Sequence, residues 1–272
     1  MEMKRIILIV ITLLSTICII SCLPRKEEKD TDNIGERVVL KTDMGEVTII
    51  LYPETPKHSQ NFLNLVRSGF YDGISFHRVI ANFMIQTGDP STRGFSHELD
   101  SVYTIDPEFD NEKFHRFGAV AAAREDDSVN PGKLSSGTQF YIVVGQKFSA
   151  NELDEITRVR NERKKRELFN MLVMEKANMI IDDGGNPDFG TIPGEIQKIF
   201  PAIWDTFPKF SLSEHQKSAY IEYGGAPHLD GDYTVFGEVI EGMDVVVKIS
   251  EMSTNRFDVP IDDIRIKKAF IE

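Results

Sequence analysis

Arg78, Phe83, Met84 and Gln86 fall within nine residues of one another, inside Ser75-Phe76-His77-Arg78-Val79-Ile80-Ala81-Asn82-Phe83-Met84-Ile85-Gln86-Thr87-Gly88-Asp89. Two short β-like runs flank Ala81-Asn82, which reads as their join. A guanidinium that keeps its charge, a neutral amide and two large apolar side chains suit an apolar pocket with one fixed cation at its wall. The same composition, read without its surroundings, also fits two ordinary strands with a solvated arginine. A flat two-residue hairpin would pair Ile80 with Phe83 and Arg78 with Ile85, leaving Gln86 facing away from Arg78. Convergence of Arg78, Phe83 and Gln86 therefore requires a bulge or a strong twist.

Other chemistries are poorly supplied. The chain of 272 residues has two cysteines, Cys18 and Cys22, and a formal net charge of -12. That charge argues against nucleic acid, which needs clustered Lys and Arg, and against electrostatic docking on anionic lipid. Lys4 and Arg5 precede an almost wholly apolar run from Ile6 to Ile20, too short for a spanning helix but suited to a secretory signal. Ile19-Ile20-Ser21-Cys22 resembles a bacterial lipobox, which implies a signal peptide over 1–21 and a lipid anchor on Cys22 in a cell-envelope protein. Loss of residues 1–21 removes Lys4, Arg5 and Glu2 and takes the net charge from -12 to -13. With Cys18 removed and Cys22 acylated, no disulfide, thiol nucleophile or cysteine metal site remains. His58, His97, His115 and His215 show no metal-ligand spacing, and His228 has no second His or Cys nearby in sequence, so no metal or other cofactor is expected.

Residues 22–36 are polar and charged and read as a tether. Folded sequence follows over 37–272. Arg37–Leu40 and Val47–Tyr52 are β-rich runs around a Thr42-Asp43-Met44-Gly45 turn, and Thr55-Pro56 opens a helix that Gly69 stops. Further short strands are expected over Gly118–Ala123, Ser136–Val144, Val235–Val239 and Ile261–Ile271, with a short helix over Met243–Ile249. Many short strands with two helices argue for a closed antiparallel barrel. Residues 150–223 break that rhythm and read as an α-helical insertion. It holds an amphipathic helix over Glu152–Met179 carried by Leu153, Ile156, Val159, Leu168 and Leu172, a loop over Pro187–Pro208, and a helix opened by Ser213. Trp204 is expected in the core of this segment.

The Phe76–Gly88 block, Ser136-Gly137-Thr138-Gln139-Phe140-Tyr141, His228-Leu229-Asp230-Gly231-Asp232-Tyr233-Thr234-Val235-Phe236-Gly237 and the upstream block around Asn61-Phe62 and Gly69-Phe70-Tyr71-Asp72-Gly73 together resemble the cyclophilins, a family of peptidyl-prolyl cis-trans isomerases. The resemblance covers about Val38–Ser149 and Gly224–Glu272, in order. It implies a mainly β fold, a closed eight-stranded antiparallel barrel with two capping helices. It also implies isomerisation of X-Pro bonds in proline-containing polypeptides, here unfolded or extended envelope proteins whose folding is assisted. Arg78 and Gln86 take the catalytic positions in this resemblance. Phe83, Met84, Tyr141 and Leu229 form the proline cup, Ala123 and Arg124 offer main-chain groups, and Gln139 supports the wall or orients Arg78. His228 and Tyr233 stand at the rim where well-known members carry a tryptophan and a histidine, and Tyr141 replaces a phenylalanine. Loss of the indole donor implies weak cyclosporin binding. A monomer is favoured. The alternative is a module that grips the same peptides with little turnover.

Overall fold

The computed structural model describes residues 35–93 and 103–272. The expected signal peptide over 1–21, Cys22, the expected tether up to residue 34 and His97 lie outside them. Ten strands are described: β1 (Arg37–Thr42), β2 (Gly45–Leu51), β3 (Arg78–Ile80), β4 (Met84–Thr87), β5 (Thr104–Ile105), β6 (Ala119–Ala122), β7 (Ser135–Ser136), β8 (Phe140–Val143), β9 (Val235–Glu241) and β10 (Ile266–Ile271). Eight of them form one sheet in the order β10-β1-β2-β9-β6-β8-β4-β3, and β5 pairs separately with β7. All the pairings are antiparallel.

This sheet is curled but open, which corrects the closed barrel expected from the sequence. Its end strands β10 and β3 share no ladder. The loop before β3 makes the join instead: Ile266 N–H donates to Ile74 O at 2.9 Å and Phe76 N–H to Ile264 O at 2.8 Å. The reason lies in β3, which has three residues. Its outer edge is already used, because Val79 N–H donates to the loop carbonyl of Asp258 at 2.8 Å.

Two helices, α1 (Pro56–Arg67) and α5 (Met243–Ser250), bury Phe62, Leu63 and Val66, and Val245, Val246 and Ile249, in the main core. The same core takes Val38 and Leu40 from β1 and Val47, Ile49 and Leu51 from β2, the period-2 alternation of strands with one inward face. Pro56 sits in the first turn of α1, where its missing N–H would find no helical partner anyway. Thr55 occupies the N-cap as expected, but its hydroxyl donates back to Tyr52 O at 3.2 Å instead of capping the helix.

Between β8 and β9 the chain forms α2 (Ala150–Asp182), α3 (Ile192–Thr206) and α4 (Glu214–Glu222). Ser149 and Glu152 form a reciprocal capping box at the start of α2, and Ser213 with Gln216 repeats it at α4. The expected loop over Pro187–Pro208 is wrong in its centre, where α3 runs. A proline is tolerated in its first turn, and Ile192, Ile196 and Phe200, one turn apart, are buried; Phe200 packs edge-on against Phe169 of α2 at 5.2 Å. Trp204 is only half-buried and stacks on Phe207 at 5.9 Å. On α2, Leu153, Leu168 and Leu172 are buried as expected, but one position departs. Val159 is 49% exposed, whereas its neighbour Arg160 is 5% exposed. The excursion begins and ends at one point: Gln146 and Gly225 form a bridge, and Gly225 also bridges Arg116. Among the described residues no helix is long and apolar enough to cross a membrane.

Candidate active site

The hairpin register decides the site. Arg78 pairs with Gln86, Val79 with Ile85 and Ile80 with Met84, so the connection has three residues, Ala81-Asn82-Phe83, instead of two. Asn82 adopts φ 58, and Phe83 N–H closes the turn on Ile80 O at 3.1 Å. Asparagine tolerates this left-handed backbone better than most residues. The extra residue moves the pairing by one, which puts Arg78 and Gln86 on one face without the bulge that a two-residue turn would need.

That face continues across the sheet. Gln86 is opposite Tyr141, and Tyr141 opposite Ala121, so β3, β4, β8 and β6 present one transverse row. Ala119, Ala121 and Ala123 recur at every second position of the same face. With Met84, Tyr141, Val143, Ala226 and Val235 they form an apolar cluster separate from the main core. Methyl side chains beside Tyr141 leave room above the sheet, and a cavity of about 610 Å3 lies there.

Arg78, Phe83, Met84, Gln86 and Ala123 line this cavity, as do Arg124, Gln139, Tyr141, Leu229 and Tyr233. The structure thus brings together ten of the eleven pocket residues expected from the sequence. His228 is the exception: it is exposed and packs its ring against Phe83 at 5.4 Å, outside the lining. His77, next to Arg78, does not line the cavity either, and burial lowers its imidazole pKa. Arg78 is 44% exposed and its Nε lies 3.7 Å from Asp258 Oδ2. Gln86 Nε2 donates to Gln139 Oε1 at 3.1 Å, so Gln139 positions Gln86 and not Arg78. The side chain of Arg124 belongs to the wall. Its Nε donates to Asp232 O at 2.7 Å and its guanidinium covers the Tyr233 ring at 4.4 Å.

Sequence reasoning missed the support below this floor. His115, fully buried, has Nδ1 at 2.8 Å from Asp230 Oδ1 and Nε2 at 3.0 Å from the Tyr141 hydroxyl. A carboxylate can only accept, so the arrangement fits a proton on Nδ1 with Nε2 accepting from Tyr141. Tyr220 donates from α4 to the other Asp230 oxygen at 2.6 Å. Burial raises the Tyr141 pKa well above the usual phenol range, which keeps its hydroxyl a donor. Spacing offers no signal for this network, because His115 and Asp230 stand 115 residues apart. Among the described residues no group of three His, Cys, Asp or Glu could hold a metal ion.

The family model described as cyclophilin type peptidyl-prolyl cis-trans isomerase/CLD matches residues 37–169 and 214–271. A protein of Staphylococcus epidermidis, provisionally named a peptidyl-prolyl cis-trans isomerase, is 30% identical over 237 residues, 87% of this chain and 91% of its own. One of Staphylococcus saprophyticus with the same name is 31% identical over 231 residues, 85% of this chain and 88% of its own. A crystal structure of a Cryptosporidium parvum cyclophilin type peptidyl-prolyl cis-trans isomerase is similar in fold, with a TM-score of 0.52 and 22% identity, covering 87% of this chain and 97% of that one. A second, solved in the presence of the dipeptide Ala-Pro, has a TM-score of 0.51 and 23% identity, covering 87% and 98%.

Proposed function

The chain belongs to the cyclophilin-type peptidyl-prolyl cis-trans isomerase family, and from that premise we propose that its outer-face cavity binds proline-containing peptides and isomerises their X-Pro bonds, with Arg78 stabilising the twisted state. A peptide bond resists rotation by about 18–20 kcal/mol because its nitrogen lone pair is delocalised into the carbonyl. Before proline the two isomers differ by only about 0.5–1 kcal/mol, so both are real substrates. At the twisted state the lone pair is localised and accepts a hydrogen bond that the planar amide cannot. A cation fixed over that nitrogen therefore binds the transition state selectively, which is the condition for raising a rate. Phe83, Met84 and Leu229 form the cup for the prolyl ring in this reading. Gln86, oriented by Gln139, holds a neighbouring backbone carbonyl. No nucleophile or proton transfer enters the mechanism.

The observation that carries the reading is the shared register of Arg78 and Gln86 beside Phe83 and Met84 at one cavity. Exchange NMR on an Ala-Pro peptide tests it. Catalytic amounts of protein should accelerate cis-trans exchange, which takes tens to hundreds of seconds unaided. Saturable binding without acceleration would leave a proline-gripping module and overturn the enzyme reading.

We further propose that residues 1–21 are a signal peptide and that residues 22–36 tether the domain to lipid on Cys22. The domain would then act on extended chains in a bacterial cell envelope and assist their folding, with residues 150–223 as a helical insertion in the cyclophilin fold. Support comes from the apolar run before Ser21-Cys22 and from the net charge of -12, which disfavours electrostatic docking on anionic lipid. Radiolabelled palmitate fed to expressing bacteria should label the wild type and not Cys22→Ser; equal labelling would remove the anchor from the proposal.

A further inference from the structure

The cavity wall formed by Leu229 and Tyr233 is tied to the helical segment by a buried guanidinium. Pro227–Leu229 form a 3-10 turn that carries Leu229 into the cavity, and Tyr233 follows shortly after. Arg160 of α2 grips this stretch at three points. Its Nη1 donates to Pro227 O at 3.0 Å, and its Nη2 donates to Asp230 O at 2.6 Å and to Asp232 Oδ2 at 2.7 Å. The guanidinium lies over the Phe210 ring at 3.8 Å, and Phe210 is pinned to α2 through a reciprocal pair of hydrogen bonds with Asn161. Asp232 also receives Lys133 and Arg163. Burial would raise the Asp232 pKa, but these three cations hold it below the ordinary carboxylate range.

A buried ion pair of this kind contributes little net stability, because desolvation offsets most of the Coulomb attraction. Arg160 even leaves its Nε buried without a partner. What three directed donors do supply is one fixed position for the backbone they hold. Here that backbone presents Leu229 and leads into Tyr233, whose ring is covered by Arg124, itself bonded to Asp232 O.

We propose that Arg160 is a positioning residue of the proline pocket, so that α2 forms part of the binding site and sets its affinity for the prolyl ring. This rests on the reading of the cavity as a proline-peptide site. Arg160 touches neither Arg78 nor Gln86, which lie on β3 and β4, so its loss should change binding and spare turnover. In the full chain, Arg160→Met should raise KM for an Ala-Pro peptide, and its Kd by NMR titration, by about tenfold with kcat within about twofold. Arg160→Lys keeps the charge but donates from one nitrogen without the planar fork that spreads Nη1 and Nη2 over the three acceptors, and should fall between wild type and Arg160→Met. Arg158→Ala, on an exposed part of the same helix and paired with Glu155, is the control and should leave KM unchanged. A role confined to stability would lower the melting temperature of Arg160→Met with KM and Kd intact, and that result overturns the proposal. If Arg160→Met does not fold, Arg160→Lys with wild-type KM and Kd overturns it equally. Should the wild type bind without turnover, the isomerase reading fails while the Kd series still decides the role of Arg160.

Discussion

Arg78→Ala is expected to lower kcat/KM for an Ala-Pro peptide by about a hundredfold or more, almost entirely through kcat. Removing one donor aimed at a transition-state charge in comparable sites lowers the rate by about 10²–10³. The planar ground state gains little from Arg78, so KM should move by less than about threefold. The variant should fold normally, because Arg78 is 44% exposed and its ion pair with Asp258, at 3.7 Å, is also half-exposed. Arg78→Lys should recover only part of the rate, since an ammonium lacks the rigid fork of a guanidinium. Exchange NMR at saturating peptide gives kcat directly. A loss below about threefold in Arg78→Ala would remove Arg78 from the mechanism.

Gly225→Ala should be strongly destabilising. Gly225 has φ +151, and a Cβ there would stand 2.3 Å from His115 O, 2.6 Å from Tyr220 Cε1 and 2.9 Å from Arg116 Cα. Two of these are backbone atoms and cannot swing away, while His115 O already accepts from Ala226 N–H at 2.8 Å. Backbone strain of about 1–3 kcal/mol and overpacking of similar size give a loss of about 4 kcal/mol. For a chain of this size that lowers the melting temperature by about 8–16 °C in calorimetry. The displaced groups include His115 and Tyr220, so peptide affinity should fall as well. A shift under about 2 °C would show that the crossing relaxes freely.

Much of the framework could be read from residue order. Alternation in β1 and β2, the Pro56 start of α1 and the Ser213 cap of α4 rest on local rules that the folded chain obeys. The pocket residues were legible only through the resemblance to the cyclophilins, whose sequence blocks occur here in order, and not from strand alternation. What failed was the arithmetic of one turn. Asn82 admits a left-handed backbone, and a three-residue connection then places Gln86 opposite Arg78. Prolines hid α3, where tertiary packing of Ile192, Ile196 and Phe200 outweighs their local preference. The wall supports were invisible for a different reason. Arg160 meets Pro227 across 67 positions and His115 meets Asp230 across 115, and nothing local in an arginine or a histidine announces such a partner.

The crossing at Gly225 also bears on how this chain can vary in length. A Cβ on Gly145 would lie 2.3 Å from Gly225 Cα, so the path through α2, α3 and α4 is a ring closed at its neck. The entropy of closing such a ring grows only with the logarithm of its length, about 0.6 kcal/mol for each doubling. Residues added or removed at the far end, around the exposed 183–191 connection between α2 and α3, therefore leave the sheet register and the neck almost undisturbed. The near end has no such freedom, since the early turns of α2 must reach Pro227 and Asp232. Tolerance to change should accordingly be graded along this ring, high at its tip and vanishing where it meets the prolyl cup.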